Sequence, residues 1–451
     1  MKLTIIGAGP GGYETAVAAA ARGVEVTIIS DGPVGGACLN EGCIPTKCFC
    51  RNAQILDDLG KASVFGVENL SYNFDFHKVV SRKDEVVAGL RSGVEFLLKG
   101  KGITLLYGKA SFKDACTVLV RPSDGGEAVE VSSDYIIVAT GSTSASLPIP
   151  GAELCISSRE ALSMESVPAR LCVIGGGVIG LELSSVFRSF GSEVCVLEFC
   201  KEILPRFDSD LSKRLKQAIS KRGISIETLA QVTAVSKSSE GGFRVSYTRK
   251  GVEASVEADA VLMAVGRRPN IFSLNFDKVG VEAGPKGVKV DADMRTNVPN
   301  IFAIGDIAGG YMLAHTAVFQ GRRALDTILG EPSTVRLDVV PAAVFTRPEA
   351  ATVGLSEEEC KEKGLQIRCL KSFFRANGKA VSMDEPEGFV KLVVSAENGK
   401  ILGCHMFGEH SADIVQEVAA LICKAATLKE LQGIIHAHPT LSEVIQEASR
   451  A

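Results

Sequence analysis

Two hydrophobic rhythms share this chain. Short, nearly continuous apolar runs of strand length occur at residues 3–6, 24–29, 135–139, 171–174 and 258–264. Stretches with helical character follow several of them: residues 13–22, two blocks within 53–98, and a run ending near residue 190. Strands separated by helices predict an α/β fold. From about residue 337 the rhythm changes. Strand-like runs at 339–345, 367–374, 390–394 and 402–407 alternate with helical runs at 356–363 and 412–426. That pattern predicts an α+β domain.

The turns after two of these strands carry the first chemistry. Residues 3–6 lead into Gly7-Ala8-Gly9-Pro10-Gly11-Gly12 and then an alanine-rich run. Strand, G-x-G-x-x-G and helix in that order is the dinucleotide fingerprint. Gly7 makes the tight turn, Gly9 lets the backbone approach a pyrophosphate, and Gly12 lets helix and strand pack closely. The phosphates then face the positive end of the helix. The unit recurs as strand 171–174, Gly175-Gly176-Gly177-Val178-Ile179-Gly180, and a second helix. Gly175, Gly177 and Gly180 repeat the three roles. The interval from Gly12 to Ser30 equals that from Gly180 to Glu198, and Gly23 and Gly191 also correspond. Two fingerprints imply two dinucleotides. Glu198 is placed to accept hydrogen bonds from a ribose 2′-hydroxyl and would repel a 2′-phosphate, which favours NAD over NADP. The corresponding place in the first unit holds Ser30, with Asp31 next to it. Either Asp31 takes the role or the ribose there is held more weakly.

Cys38 and Cys43 lie in the run Gly35-Gly36-Ala37-Cys38-Leu39-Asn40-Glu41-Gly42-Cys43-Ile44-Pro45-Thr46-Lys47. A metal site more often uses a C-x-x-C spacing with a second ligand pair elsewhere. A regular helix would hold their Cα atoms roughly 8–9 Å apart, beyond the about 4.4–6.8 Å of a disulfide. A bond between them needs a distorted turn, and Gly42 supplies the backbone freedom. Strained pairs of this kind are the labile, redox-active ones. Taken alone, the pair fits two small core thiols as well as it fits redox chemistry. Lys47 falls one helical turn past Cys43 on the same face. Cys48 and Cys50 read as packing residues. Near the end, His438 precedes Pro439, which suits the first turn of a helix, with Glu443 about a turn inside. A carboxylate in reach of the ring fixes the imidazole tautomer and raises its basicity.

Composition narrows the classes. With 451 residues, two to four domains are expected. A net charge of −4 gives no reason to expect nucleic acid or an anionic membrane as partner. No apolar run approaches transmembrane length. The first strand begins just after Met1, so no signal or transit peptide is expected. The 13 scattered cysteines suit a reducing cytoplasm rather than a secreted framework.

Taken together, these stretches resemble the flavin-dependent disulfide oxidoreductases over residues 3 to about 448. The resemblance rests on the C-L-N-E-G-C-I-P-T-K run at 38–47, the two fingerprints and the Thr140-Gly141-Ser142 turn. It extends to Gly266-Arg267-Arg268-Pro269-Asn270, the T-N-V-P-N-I-F-A-I-G-D run at 296–306 and the H-P-T-L-S-E run at 438–443. It implies that Cys38 and Cys43 form the redox-active disulfide, with Cys38 the interchange thiol and Cys43 against the flavin. Lys47 would lie near the flavin and pair with Glu182, and Asp306 would hydrogen-bond the ribityl chain. His438 and Glu443 would form the acid–base dyad. The chain would leave the flavin domain near Gly141 and return at Gly266. Two positions depart from the family: Ser30 where glutamate is usual, and Ala37 where threonine is usual.

The fold implied is α/β, with two Rossmann-like dinucleotide-binding domains and a C-terminal α+β dimerisation domain. Its segments are 1–145 and 269–335 for FAD, 146–268 for NAD, and 336–451 for dimerisation. The reaction implied is oxidation of protein-bound dihydrolipoamide, with electrons passing through the disulfide and FAD to NAD. The partners implied are a second copy, whose histidine faces this chain's disulfide, and the lipoyl domains of a multienzyme complex. No metal is expected.

Overall fold

The computed structural model describes residues 1–239 and 241–451. Its contacts divide the chain into two units. One comprises Met1–Cys48, Lys78–Ala145 and Arg267–Leu337; the other comprises Phe49–His77, Ser146–Gly266 and Asp338–Ala451.

The first unit is built on five parallel strands in the order Ile301–Ala303, Tyr135–Val138, Lys2–Ile6, Glu25–Ser30 and Thr104–Asp114. The last continues into an antiparallel meander with Thr117–Pro122 and Val129–Ser132. Period-2 alternation sends Leu3, Ile5, Ile28, Ile137 and Phe302 to one face, and Ile6, Ile29, Ile136 and Val138 to the other. Both faces are buried, as a parallel sheet requires. One face packs on Ala16 and Ala19 of the helix Pro10–Ala20 and on Ala324 and Leu325 of Ala314–Leu329. The other packs on Phe112, Val118 and Val120 of the meander. The two helices cross closely because small residues meet: a Cβ on Gly321 would fall 1.8 Å from Thr15 Oγ1.

The second unit contains a four-stranded parallel sheet in the order Ile224–Thr228, Glu193–Glu198, Arg170–Ile174 and Ala260–Met263. A three-stranded antiparallel sheet (Ala230–Lys237, Phe243–Arg249, Val252–Ala258) packs Val232, Val235 and Val245 against Cys172, Ile174 and Leu197. The C-terminal part is a five-stranded antiparallel sheet: Ala342–Val344, Ala350–Gly354, Ile401–Phe407, Phe389–Ser395, Ile367–Phe373. The helices Ser411–Cys423 and Glu443–Ser449 cover its core.

Three local expectations change. The strand expected over 339–345 is only Ala342–Val344, since Pro341 has no N–H to give a ladder. Ala350–Gly354, unremarkable in sequence, is a strand of the same sheet. The last helix starts at Glu443, not at Pro439. The His438–Pro439 peptide is cis, and residues 439–442 form a turn held by side chains. In it Thr440 N–H donates to Glu443 Oε2 at 2.8 Å and Asn377 Nδ2 to Thr440 O at 3.1 Å. Glu443 is therefore the first helical residue, not one a turn inside. Among the described residues, no helix is long and apolar enough to cross a membrane.

Candidate active site

The cysteine pair sits across a break between two helices of the N-terminal stretch. Cys38 lies in Gly36–Glu41, and Cys43 opens Cys43–Gly60. Gly42 separates them with φ −138° and ψ −103°, neither helical nor an ordinary strand conformation. A Cβ there would lie 3.1 Å from Ala37 O. The distorted turn expected of a bonded pair is thus present, and the two thiols are close enough to share a hydrogen bond. That bond comes first, and burial second, in pushing the Cys38 thiol far up. Charge at Cys43 and at Asp306 adds to the effect, while Lys47 opposes it. Cys43 stands at the N-terminus of an 18-residue helix, where the dipole favours a thiolate. The two sulfurs are therefore electrostatically unequal. Tyr13 is also near: burial and then Glu14 push its phenol up to about 12, with a smaller contribution from Cys38.

Asp306 is held by Ser142 and Arg267, which in sequence read only as turn residues. Its carboxylate accepts from the Ser142 hydroxyl. Arg267 Nε donates to Ser142 Oγ at 2.7 Å, and its terminal nitrogen to Ser142 O at 2.7 Å. Arg267 Nε is 3.9 Å from Asp306. The strands Ser142–Ser144 and Arg267–Pro269 pair antiparallel, which brings these side chains together. Gly141 and Gly266 flank them with φ of 70° and 112°, conformations that glycine adopts without strain.

The fingerprints have the geometry that a dinucleotide requires. Gly7 and Gly175 take φ of 113° and 112°. A Cβ on Gly12 would fall 1.9 Å from Gly7 O, and one on Gly180 would fall 2.1 Å from Gly175 O. By contrast, nothing lies within 4 Å of a Cβ on Gly177, and only Gly36 Cα, at 3.9 Å, near one on Gly9. The first and third glycines thus permit close packing. The second leaves its backbone open at the start of the helices Pro10–Ala20 and Val178–Ser189, where a pyrophosphate fits.

The ribose ends differ. Glu198 is buried at the end of its strand. Its Oε2 accepts from Gly176 N–H and its Oε1 from Cys200 N–H, both at 2.6 Å. Ser30 instead donates its hydroxyl to Gly32 O at 2.7 Å, and Asp31 is exposed in the following bend. Glu182 is not the surface glutamate that a first helical turn often carries. It is buried, and its Oε1 accepts from Phe345 N–H at 3.0 Å. Cys48 is buried and Cys50 points its thiol at Phe345 O, 3.6 Å away, as packing residues do.

His438 and Glu443 meet as expected. Nδ1 lies 3.0 Å from Glu443 Oε1, while the imidazole side chain is 80% exposed. The Thr440 N–H first, and then His438, hold the Glu443 carboxyl below the usual range. A carboxylate facing Nδ1 assigns the proton to that nitrogen and leaves Nε2 as the free base, turned to solvent. His436 beside it is different: its side chain is buried and Nε2 faces Glu417 Oε1 at 2.9 Å. Among the described residues, no group of three His, Cys, Asp or Glu side chains is arranged to hold a metal ion.

Comparison with known proteins agrees along the whole chain. Residues 1–321 match the pyridine nucleotide-disulphide oxidoreductase model, and residues 340–449 match that family's dimerisation domain. A dihydrolipoyl dehydrogenase of Bacillus subtilis is 40% identical over 448 residues, covering 99% of this chain and 95% of that protein. One from Geobacillus stearothermophilus is 39% identical over 447 residues, covering 99% and 94%. Among solved structures, LpdA of Mycobacterium tuberculosis superposes with a TM-score of 0.92 at 28% identity, covering 100% and 99% of the two chains. The HOCl-induced flavoprotein disulfide reductase RclA of Escherichia coli follows at 0.88 and 28%, again covering 100% and 99%. With 99% of its sequence matched by these relatives and residues 1–321 by the family model, the chain belongs to the pyridine nucleotide-disulphide oxidoreductases.

Proposed function

We propose that this chain oxidises protein-bound dihydrolipoamide to lipoamide and reduces NAD to NADH, using FAD and a Cys38–Cys43 disulfide. The observation that carries this reading is the pair of unequal thiols across the Gly42 break, in the same unit as the first fingerprint. The first fingerprint, with residues 1–145 and 269–335, takes FAD. The second, within 146–268, takes NAD through Gly175, Gly177, Gly180 and Glu198. Residues 336–451 form the homodimer.

His438 Nε2 accepts a proton from one substrate thiol, since the thiolate is the nucleophile. That thiolate attacks Cys38 Sγ, and the Cys38–Cys43 bond breaks. Cys43 leaves as a thiolate, which its helix N-terminus stabilises. The second substrate sulfur then attacks the first, closing the lipoamide disulfide and releasing Cys38, which takes up a proton. The substrate has lost two electrons and two protons, and the chain now holds a Cys38 thiol and a Cys43 thiolate. FAD, when bound, supplies the two-electron relay from this dithiol to the nicotinamide. Lys47 and Asp306 orient the flavin, and Glu182, two residues past Gly180, is held by the Phe345 N–H.

His438 is too exposed in a single chain for a base that must work away from water, and a partner subunit supplies the cover. The histidine of one chain therefore serves the disulfide of the other. The electron donors are the lipoyl domains of a multienzyme complex, and the scattered thiols suit the cytoplasm. The test is a steady-state assay of the flavin-loaded protein with dihydrolipoamide. NAD should exceed NADP in kcat/KM by about two orders of magnitude or more, because Glu198 is built to accept ribose hydroxyls. No turnover, or equal use of the two nucleotides, would contradict the reading.

A further inference from the structure

The helix Cys43–Gly60 carries Cys43 at one end and two acids, Asp57 and Asp58, in its last turn, with no basic residue there. Acids at a helix C-terminus oppose the macrodipole. Here they are matched by cations from other elements. Arg347 Nη2 donates to Asp58 Oδ1 at 2.7 Å, and Nη1 donates to the Gln54 carbonyl at 3.1 Å. Nη1 also lies 3.7 Å from Asp57, whose carboxylate accepts from Arg222 Nη2 at 2.5 Å. A third acid, Glu385, accepts from Arg347 Nη2 at 2.6 Å. The Arg347 side chain is only 12% exposed, so these charges are weakly screened.

The backbone around Arg347 is tied to the helix of the second fingerprint, Val178–Ser189. Arg347 N–H donates to Ser185 Oγ at 3.2 Å, and Phe345 N–H donates to Glu182 Oε1 at 3.0 Å. One turn further along, Ser189 Oγ donates to Asp57 Oδ2 at 3.0 Å. Spaced by three and four, Glu182, Ser185 and Ser189 share one face of that helix. Phe49 also packs on Phe190, with ring centroids 5.7 Å apart. Apolar contact is non-directional and does not fix how a helix is turned about its axis. Hydrogen bonds, which have preferred angles, do. Between Cys43 and Leu59 the helix has no glycine, and its one proline, Pro45, lies in the first turn, so a rotation at one end is carried to the other. A turn of about 20° moves each Cα by about 0.8 Å, and a side-chain sulfur further.

We infer that Arg347 is a positioning residue of the redox centre: it fixes the rotation of the helix Cys43–Gly60, and with it the direction in which the Cys43 sulfur points. This rests on the reading that Cys43 is the thiolate set against the flavin. Charge alone does not suffice for the role. The planar guanidinium reaches Gln54 O, Asp58 and Glu385 together, whereas a lysine ammonium is a point charge without that fork.

The experiment uses the FAD-loaded protein, reduced without oxygen by one equivalent of dihydrolipoamide. A thiolate in contact with oxidised flavin gives a long-wavelength absorption band whose strength follows their overlap. Arg347→Met keeps the length but not the donors. It should lose about half of that band or more, with kcat down about 10- to 100-fold, the cost of a misplacement near 1 Å. KM for dihydrolipoamide and bound FAD should stay within about twofold of wild type, since no group touching either is removed. Arg347→Lys should fall between the two. A wild-type band and kcat in Arg347→Met, with only the urea midpoint lowered, would overturn the inference and leave a structural role. If Arg347→Met does not fold, Asp58→Asn decides, since it keeps Arg347 and removes one charge from the helix. A weakened band there supports the inference, and an unchanged band overturns it. Absence of both band and turnover in wild type would overturn the functional reading and the inference with it.

Discussion

The Ser30 hydroxyl donates to the Gly32 carbonyl at 2.7 Å, at the strand end where its counterpart Glu198 accepts two backbone N–H groups. The two fingerprints thus share a backbone design but not a ribose contact. A glutamate at position 30 would restore an acceptor beside the first fingerprint. Ser30→Glu is predicted to slow FAD dissociation by about 10- to 150-fold, the worth of a charge-assisted hydrogen bond of about 1.5–3 kcal/mol. Flavin fluorescence after dilution measures the rate. An unchanged rate would mean that Asp31 or water already fills the role.

A pH dependence follows from His405. The ring is buried, with Nδ1 2.5 Å from Thr352 Oγ1 and Nε2 3.0 Å from Leu355 O. A carbonyl only accepts, so Nε2 carries the proton. Asp208, Lys391 and Glu358 are the charged groups facing it. Burial pushes the ring's pKa down, more than Asp208 and the Leu355 bond pull it up. The unfolded chain, with an ordinary histidine near 6.5, then binds the proton first. The neutral ring's contribution is complete above about pH 6.5 and is lost as pH falls below it, by up to about 1.4 kcal/mol per unit. Between about pH 7.5 and about pH 5.5, wild type should lose more stability to urea than His405→Gln, whose amide can still donate to Leu355. Parallel losses would contradict the assignment.

Much of the site was legible because its residues are forced by backbone geometry. Gly7, Gly12, Gly175 and Gly180 stand where a Cβ would collide with backbone or φ is positive, and such positions leave a mark in sequence. Gly42 announced the break between Cys38 and Cys43 for the same reason. The rest depends on contacts between distant segments. Ser142 and Arg267 looked like turn residues until strand pairing brought them to Asp306. Lys391 sits in Phe389-Val390-Lys391-Leu392-Val393-Val394, where alternation suggests a solvated lysine. Instead every position of that strand is buried, and Lys391 meets Asp208 at 2.9 Å and Glu357 at 2.8 Å. Burial opposes its charge, but the bonds to Glu357 and Asp208 outweigh it and hold the ammonium above the usual lysine range. No local pattern encodes a partner 183 residues away. Pro439 misled because helix starts and tight turns both favour proline.

The shared site is tested with mixed dimers. His438→Ala alone should lose about 10²- to 10⁴-fold in lipoamide turnover, the usual worth of a general base. Cys38→Ser alone should lose it entirely while FAD stays bound. A purified hybrid of the two chains carries both lesions in one site and neither in the other. It should recover about half of wild-type activity per dimer, as two-fold symmetry requires. An inactive hybrid would place both groups in one chain's site.

The central claim is that the substrate's electrons arrive on Cys38 and Cys43, and one labelling experiment reads that directly. The oxidised, FAD-loaded protein is mixed without oxygen or NAD with one equivalent of dihydrolipoamide, then denatured in iodoacetamide and digested. Mass spectrometry of the peptide spanning residues 38–47 should find neither cysteine alkylated before reduction and both alkylated after it. A peptide already alkylated before reduction, or one still unlabelled after lipoamide has formed, would contradict the account.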